Sequence, residues 1–299
     1  MPFMRFFAAL CASIILSLGQ AFAADTKAEM EAAFQAANTA LQKGPTSIPV
    51  AGQATLKLPE NFGFIPAKES RRLLEAMGNR TSDETQGMII AIGGQDANWF
   101  MVVSYTPAGY IKDDDAKTWN ADELLNSLRE GTEESNKERK TRGIPEMEIV
   151  GWVEKPLYDA TSQRLVWSLA SRDKGQASGA DNGINYNTLV LGREGYVSMN
   201  LVTGMKEVEA LKPVAKNMLA TMSFDNGKRY ADFSPSTDKV AEYGLAALVA
   251  GVAAKKLGLL AVIGVFLAKF AKIIIAAVAV GGGALGKKWW NRKKTNENT

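Results

Sequence analysis

The segment INYNTLVLGREGYVSMNLVT, residues 184–203, decides the fold. Its two halves, Ile184 to Leu191 and Tyr196 to Thr203, are rich in β-branched and aromatic residues, which favour strands, and a glycine-bounded turn joins them. The following segment, Met205 to Met222, carries apolar residues at helical spacing. Strands followed by a helix, in place of regular alternation, predict an α+β domain built on a single antiparallel sheet with packed helices.

The sequence upstream predicts more elements of the same domain. Further strands are predicted over residues 53–59, 88–92, 98–106, 148–153 and 164–171, and helices over residues 24–42, 66–77 and 120–142. The polar, glycine-rich segment 171–183 predicts an exposed loop. The start of the third helix is marked by Asn120, whose side chain can cap the first turn, and by Glu123. We expect one domain over residues 24–235, because this region has no internal repeat and no long linker.

The first 23 residues have the pattern of a secretory leader. Arg5 precedes an apolar run from Phe6 to Leu18, and Ala21-Phe22-Ala23 provides the small residues that a signal peptidase recognises. The alternative is a retained transmembrane helix, but the run is shorter than the roughly 20 residues that a span needs. We therefore expect the mature chain to begin at Ala24 and to be exported.

The composition excludes several kinds of chemistry. The only cysteine, Cys11, lies in the leader, and the chain has no histidine. Disulfides, thiolate nucleophiles and cysteine metal sites are therefore absent from the mature chain, and so are the commonest general base and metal ligand. We predict no cofactor and no catalytic or metal-binding residue.

The charge is unevenly distributed along the chain. The whole sequence carries +3; the leader contributes one positive charge and residues 255–299 contribute eight, so −6 remains for residues 24–254. Nucleic-acid binding would need a basic face on the folded domain. The acidic domain excludes this class of partner.

The C-terminal region predicts a membrane anchor. Residues 243–286 contain no acid and only four lysines, and residues 267–286 have the length of about 20 residues that a transmembrane helix needs. We expect a juxtamembrane helix over 236–266 and a basic cytoplasmic tail over 287–299. The side chains expected at the two membrane interfaces are Lys269, Lys272, Lys287, Lys288, Trp289 and Trp290.

Two features of this anchor stay open. A two-helix hairpin would return the basic end to the exported side, against the positive-inside rule. Residues 243–268 can insert in the membrane, lie on its surface or pack against the domain.

Six residues are the candidates for a polar or ligand-binding site. Asp113, Asp114 and Asp115 form the densest acidic group, but their spacing does not match a calcium loop, and a solvated turn is the simpler interpretation. The other candidates are Trp152, Tyr158 and Asp159; the two aromatic residues can line a ligand groove or belong to the core.

Several motifs resemble a bacterial family of uncharacterised membrane-anchored proteins. They are residues 56–64 (LKLPENFGF), 109–116 (GYIKDDDA), 136–143 (NKERKTRG), 151–152, 156–159 (PLYD), 165–167, 185–186, 230–233 (YADF) and 237–244 (TDKVAEYG). The resemblance covers nearly the whole mature chain and implies the same topology, but it implies no activity. The strand near Thr203 with the helix that follows it is also similar to small α+β sandwiches of the PsbP and Mog1 kind, at the level of fold alone.

These observations predict a protein of the bacterial inner membrane with one span, a periplasmic domain and a cytoplasmic C-terminus. We expect the domain to bind a ligand or a partner without catalysis; the alternative is an envelope hydrolase that uses carboxylates. The expected partners are the lipid bilayer and another envelope protein.

Overall fold

The computed structural model describes residues 28–92, 99–141, 143–176 and 182–251. The strands are β1 (Gln42–Lys43), β2 (Thr46–Val50), β3 (Ala54–Leu58), β4 (Phe62–Pro66), β5 (Thr85–Ala91), β6 (Phe100–Thr106), β7 (Met147–Asp159), β8 (Arg164–Asp173), β9 (Gly183–Leu191), β10 (Tyr196–Gly204) and β11 (Met222–Phe224). The helices are α1 (residues 28–40), α2 (Ala67–Ala76), α3 (Ala121–Thr141), α4 (Val208–Ala220) and α5 (Leu245–Val249).

Eight strands form one antiparallel sheet in the order β1-β4-β5-β6-β10-β9-β8-β7, and β11, β3 and β2 form a second, smaller antiparallel sheet. The predicted pair β9 and β10 lies near the middle of the large sheet, paired from Tyr196 opposite Leu191 to Gly204 opposite Gly183. All nine residues of β9 are buried. The predicted α+β fold with a large antiparallel sheet and a few helices is confirmed, but the prediction of a single sheet was wrong, because β2, β3 and β11 pair in a second sheet.

Two separate groups of helices cover one face of the large sheet. Helices α1 and α2 enclose an apolar cluster on β4, β5 and β6, which includes Phe34, Leu73, Met88 and Phe100. Helices α3 and α5 enclose a second cluster on β8 and β9, which includes Leu165. We call this side the helical face.

The small sheet and α4 cover the opposite face. Their apolar residues, such as Leu56 and Met218, pack with Tyr186 and Met199 of the large sheet in the largest core cluster. Successive residues of a strand point to opposite faces, so each central strand supplies one set of side chains to this core and the alternate set to the helical face.

The predicted Asn120 cap at the start of α3 is confirmed, and a glycine follows the end of α2. The side-chain oxygen of Asn120 accepts the backbone N–H groups of Asp122 at 2.9 Å and Glu123 at 3.4 Å at the start of α3. After α2, Gly78 has a positive φ of 82° and its N–H donates to Glu75 O, as a glycine that ends a helix does.

Strands β1, β2, β4 and β11 were not predicted, and several predicted boundaries differ from those in the structure. β7 extends to Asp159, six residues beyond the prediction. The predicted loop 171–183 was wrong at its start, because β8 runs to Asp173 and Ser171 is fully buried, with its hydroxyl donating to Gly183 O. In the described part of 236–266, helix begins only at Leu245.

None of the helices in the described ranges combines the length and apolar character needed to cross a bilayer. The predicted leader, the predicted span 267–286 and the expected interface residues Lys269, Lys272, Lys287, Lys288, Trp289 and Trp290 lie outside the described residues.

Candidate functional site

Two of the candidate acidic residues, Asp113 and Asp115, lie at one end of the large sheet. Both form hydrogen bonds with distant parts of the chain. The carboxylate of Asp113 accepts the hydroxyl of Tyr158 at 2.8 Å. The two carboxylate oxygens of Asp115 accept the backbone N–H groups of Leu245 at 3.1 Å and Ala246 at 3.0 Å, which caps α5 from a distant part of the chain. Because these oxygens already have partners within the protein, we assign both residues a structural role.

The remaining three candidates do not join a common site. Asp114 is exposed on the short 3-10 turn Asp114–Lys117. The indole N–H of Trp152 donates to Ala121 O at 3.0 Å, which ties β7 to α3. Asp159 accepts Thr161 N and Ser162 Oγ in the exposed turn after β7.

The same end of the sheet binds residues 225–251, which we call the C-terminal strap. The ring of Tyr110 stacks between Tyr230, at a centroid distance of 4.4 Å, and Phe233, at 3.8 Å. Backbone bonds join Tyr110 N to Lys239 O and Ala241 N to Tyr110 O, both at 2.8 Å. Three of the motifs that carry the family resemblance, residues 109–116, 230–233 and 237–244, therefore meet in this one contact.

Burial and neighbouring charge act together on two tyrosines of this contact. Burial, followed by the hydrogen bond to Asp113, raises the pKa of Tyr158 well above its ordinary value. Burial, followed by Tyr110 and the charge of Asp113, does the same to the pKa of Tyr230, whose hydroxyl donates to Ile111 O at 2.8 Å. Both phenols therefore stay protonated and act as hydrogen-bond donors within the fold.

A different group of polar side chains lies on the helical face, between the two apolar clusters. These residues come from the three adjacent central strands β6, β10 and β9, and we call them the polar stripe: Ser104, Asn185, Asn187, Ser198 and Asn200. Ser104 is opposite Ser198, and Asn200 is opposite Asn187, so the side chains of each pair share one face. Ser104, Ser198 and Asn200 are partly exposed.

The amides of the polar stripe are connected to one another. Asn200 Nδ2 donates to Asn185 Oδ1 at 3.1 Å, and Asn187 Nδ2 donates to Asn185 O at 3.3 Å. Asn200 Oδ1 is buried and accepts no hydrogen bond from any described residue. A buried amide oxygen without a donor costs free energy, about 1–3 kcal/mol, so this atom offers an acceptor that a bound donor would satisfy.

One end of the polar stripe carries a carboxylate. Glu84 Oε2 accepts the hydroxyl of Thr106 at 3.1 Å, and Thr106 is opposite Tyr196 in the sheet. Glu84 is partly buried, and this burial raises the pKa of its carboxyl group above the ordinary value, while the Thr106 bond lowers it. Among the described residues Glu84 forms no ion pair; the nearby Arg71 instead contacts Asp83 at 3.7 Å.

Tyr243 of the C-terminal strap also belongs to this end. Burial raises the pKa of its phenol, and the neighbouring Tyr196 and Glu84 raise it further. Its hydroxyl is buried without a hydrogen-bond partner among the described residues. The strap therefore borders this end of the polar stripe.

Two other partly buried carboxylates, Glu154 and Asp238, lie elsewhere. Glu154 accepts Tyr186 and Lys216, each at 2.8 Å, on the opposite face of the sheet, and Asp238 pairs with Arg193. No group of three or more potential metal ligands occurs within the described ranges. Glu154 and Asp238 each have a cationic partner of their own, Lys216 and Arg193.

Sequence reasoning missed the polar stripe. Its signal was Asn185 and Asn187 in one strand and Ser198 and Asn200 in the next, at alternate positions of strands whose other residues are mostly apolar. Alternation of this kind places polar groups on a single face of the sheet. It is typical of a solvent-exposed face, and it indicates a site only when other elements cover both faces.

Comparisons with known proteins identify a family and no activity. The model of the family DUF2167, described as a protein of unknown function, matches residues 42–279. No curated protein matches the chain. The solution structure of cyanobacterial PsbP (CyanoP) from Synechocystis is similar with a TM-score of 0.36 and 8% identity, covering 62% of this chain and 93% of that chain. This similarity is too low to support an argument.

Proposed function

Because this chain belongs to the DUF2167 family, whose function is unknown, we propose a function from its own residues. We propose that it is a membrane-anchored envelope protein whose periplasmic domain binds a ligand or a partner without catalysing a reaction. The polar stripe is the binding site.

The proposed location depends on the two ends of the chain. A leader with a cleavage pattern precedes an acidic domain, and an apolar region with a basic end follows it. The C-terminal strap, residues 225–251, packs on the domain through Leu245, Val249 and Ala250, which are buried against α3 and the sheet. A tether that begins on the domain would hold it close to the bilayer.

The single observation that supports binding is the composition of the helical face. Covered sheet faces are normally apolar, and a polar group buried there costs free energy unless it is hydrogen-bonded. Here five amide and hydroxyl side chains lie between two apolar clusters, and one of their oxygens lacks a donor among the described residues. Sites for small ligands combine such convergent polar groups with apolar walls.

Site-specific photo-crosslinking in intact cells tests this function. A photoreactive residue at Ser198 should form an adduct with the bound molecule, because Ser198 lies in the polar stripe and is partly exposed. The matched control is the same residue at Ser223, which is exposed on β11 of the small sheet. Adducts at Ser198 alone are expected; equal yields at both positions, or none at Ser198, would reject the stripe as the binding site.

A further inference from the structure

The ligand of the polar stripe can be inferred from the hydrogen-bonding groups that the protein leaves free. We propose that the stripe binds a linear primary alkylammonium, with the ammonium at Glu84 and a second donor near Asn200. This inference assumes the proposed binding function and adds the chemical class of the ligand.

Among the described residues, the amide and carboxylate oxygens left without partners at the stripe are acceptors, beside the unpaired hydroxyl of Tyr243. Glu84 has one carboxylate oxygen bonded to Thr106 and forms no ion pair with any described residue. Asn200 has its Nδ2 bonded to Asn185, which leaves its Oδ1 as the free group. A ligand that supplies N–H donors would satisfy both residues, whereas an anion or a pure acceptor would satisfy neither.

Charge favours a cation over a neutral donor. A partly buried carboxylate without a counter-ion is destabilised, and a bound ammonium removes that penalty while forming a charge-assisted hydrogen bond. The domain as a whole is acidic, with −6 over residues 24–254, which attracts cations to its surface.

The spacing of the stripe favours an elongated ligand. Thr106, whose hydroxyl donates to Glu84, is opposite Tyr196, and Asn200 lies four positions after Tyr196 along β10. At about 3.3 Å for each residue of a strand, the backbone positions of Tyr196 and Asn200 are about 13 Å apart. Ser198 and Ser104 lie between them and offer hydroxyl groups along the length of the chain.

Isothermal titration of the full chain in detergent micelles tests the proposal. The probes are spermidine and a series of diamines from 1,3-diaminopropane to 1,10-diaminodecane, and we expect affinity to rise with length until the two amines can span the stripe. A separate probe, Nα-acetyl-lysine methylamide, represents the lysine side chain of a protein partner. Tighter binding of this probe would indicate a protein lysine as the ligand, and tighter binding of the diamines or spermidine a free amine. An affinity independent of diamine length would reject the elongated binding mode.

The decisive variant is Glu84→Gln, which keeps an acceptor for Thr106 and removes the charge. Spermidine should bind it at least about tenfold more weakly, because charge-assisted bonds are roughly twice as strong as neutral ones. Glu60→Gln, at an exposed position before β4, is the matched control and should leave the affinity unchanged. Equal weakening by both variants would show non-specific attraction and overturn the proposal.

The outcomes for the two proposals can be told apart. Crosslinks at Ser198 without binding of spermidine, the diamines or the lysine derivative would reject the alkylammonium class and retain the binding function. Absence of both would reject the two proposals together.

Discussion

Arg193 and Asp238 form a two-bond ion pair across 45 residues of sequence, with Nε to Oδ2 at 2.7 Å and Nη2 to Oδ1 at 2.8 Å. Arg193 belongs to the turn between β9 and β10, and Asp238 to the C-terminal strap. The Asp238 side chain is 7% exposed and also accepts Ser234 N and the Thr237 hydroxyl. This pair fastens the C-terminal strap to the hairpin formed by β9 and β10.

Replacing Asp238 with Asn should loosen the C-terminal strap at neutral pH. The bonds to Arg193, followed by that to Ser234, hold the pKa of the Asp238 carboxyl well below its ordinary value. A lowered folded-state pKa gives stability that is present above the ordinary pKa, about 3.9, and is lost as pH falls through the folded value. The thermal unfolding midpoint of the variant should therefore lie below that of the native chain at neutral pH.

Acidification supplies a further check on Asp238→Asn. The difference in midpoint between the two proteins should shrink as pH falls below about 4. Glu242→Gln, an exposed change on the same strap, is the control and should not alter the midpoint. A difference that stays constant with pH would contradict the role of the carboxylate.

Removing the central ring of the aromatic stack should release the strap. Tyr110→Ala deletes the ring between Tyr230 and Phe233 and should cost about 2 kcal/mol, less than for a fully buried ring because these residues are partly exposed. Limited proteolysis should then cut within residues 225–251 faster than in the native chain. Tyr110→Phe keeps the ring and should resist cleavage; equal sensitivity of both variants would contradict this account of the stack.

Asn136 of helix α3 forms hydrogen bonds with the outer edge of β7, the last strand of the large sheet. This buried side chain donates to Met147 O at 2.7 Å and accepts Met147 N at 2.8 Å. Asn136→Ala leaves two buried backbone groups unpaired and should lower the free energy of unfolding by about 2–3 kcal/mol. Hydrogen exchange at the Met147 amide should accelerate. Asn126→Ala, exposed on the same helix, should leave that exchange unchanged.

Most of the tyrosines should ionise only at high pH. Burial, followed by the charge of Glu194, raises the pKa of Tyr105 to about 12. The pKa values of Tyr158, Tyr186, Tyr196, Tyr230 and Tyr243 are raised as well, with burial as the largest cause in each. A raised folded-state pKa gives stability that is complete below the ordinary pKa of about 10 and is lost as pH rises through the folded value.

Ultraviolet titration of tyrosinate checks this expectation. Most of the absorbance change should appear above pH 10 and coincide with alkaline unfolding, and in denaturant the change should return to about pH 10. Ionisation of nearly all tyrosines near pH 10 in the folded protein would contradict the burial of these phenols.

The fold was predictable where the signal is local or periodic. The strands within residues 184–203 and the Asn120 cap both follow from residue types at fixed spacing, and both are present. The extent of β7 was not predictable. Gly151 and Pro156 interrupt its pattern, and the structure accommodates them by shifts in register against β8.

The roles of the acidic residues depend on distant partners. Asp113 meets Tyr158 across 45 residues, and Asp115 meets Leu245 across 130. Sequence spacing contains no information on such contacts, so the acidic group resembled a solvated turn. Asn187 and Asn200 likewise become a pair only through the register of β9 and β10.

Single-cysteine labelling most directly tests the central claim, that the domain is exported and held by its C-terminal end. Cys11 lies in the predicted leader, so the mature chain offers a cysteine-free background for Ser47→Cys, exposed on β2, and for Thr299→Cys. In intact spheroplasts, a membrane-impermeant maleimide should label Ser47→Cys at once and Thr299→Cys only after the membrane is broken. Labelling of Thr299→Cys in intact spheroplasts, or protection of Ser47→Cys, would contradict the account.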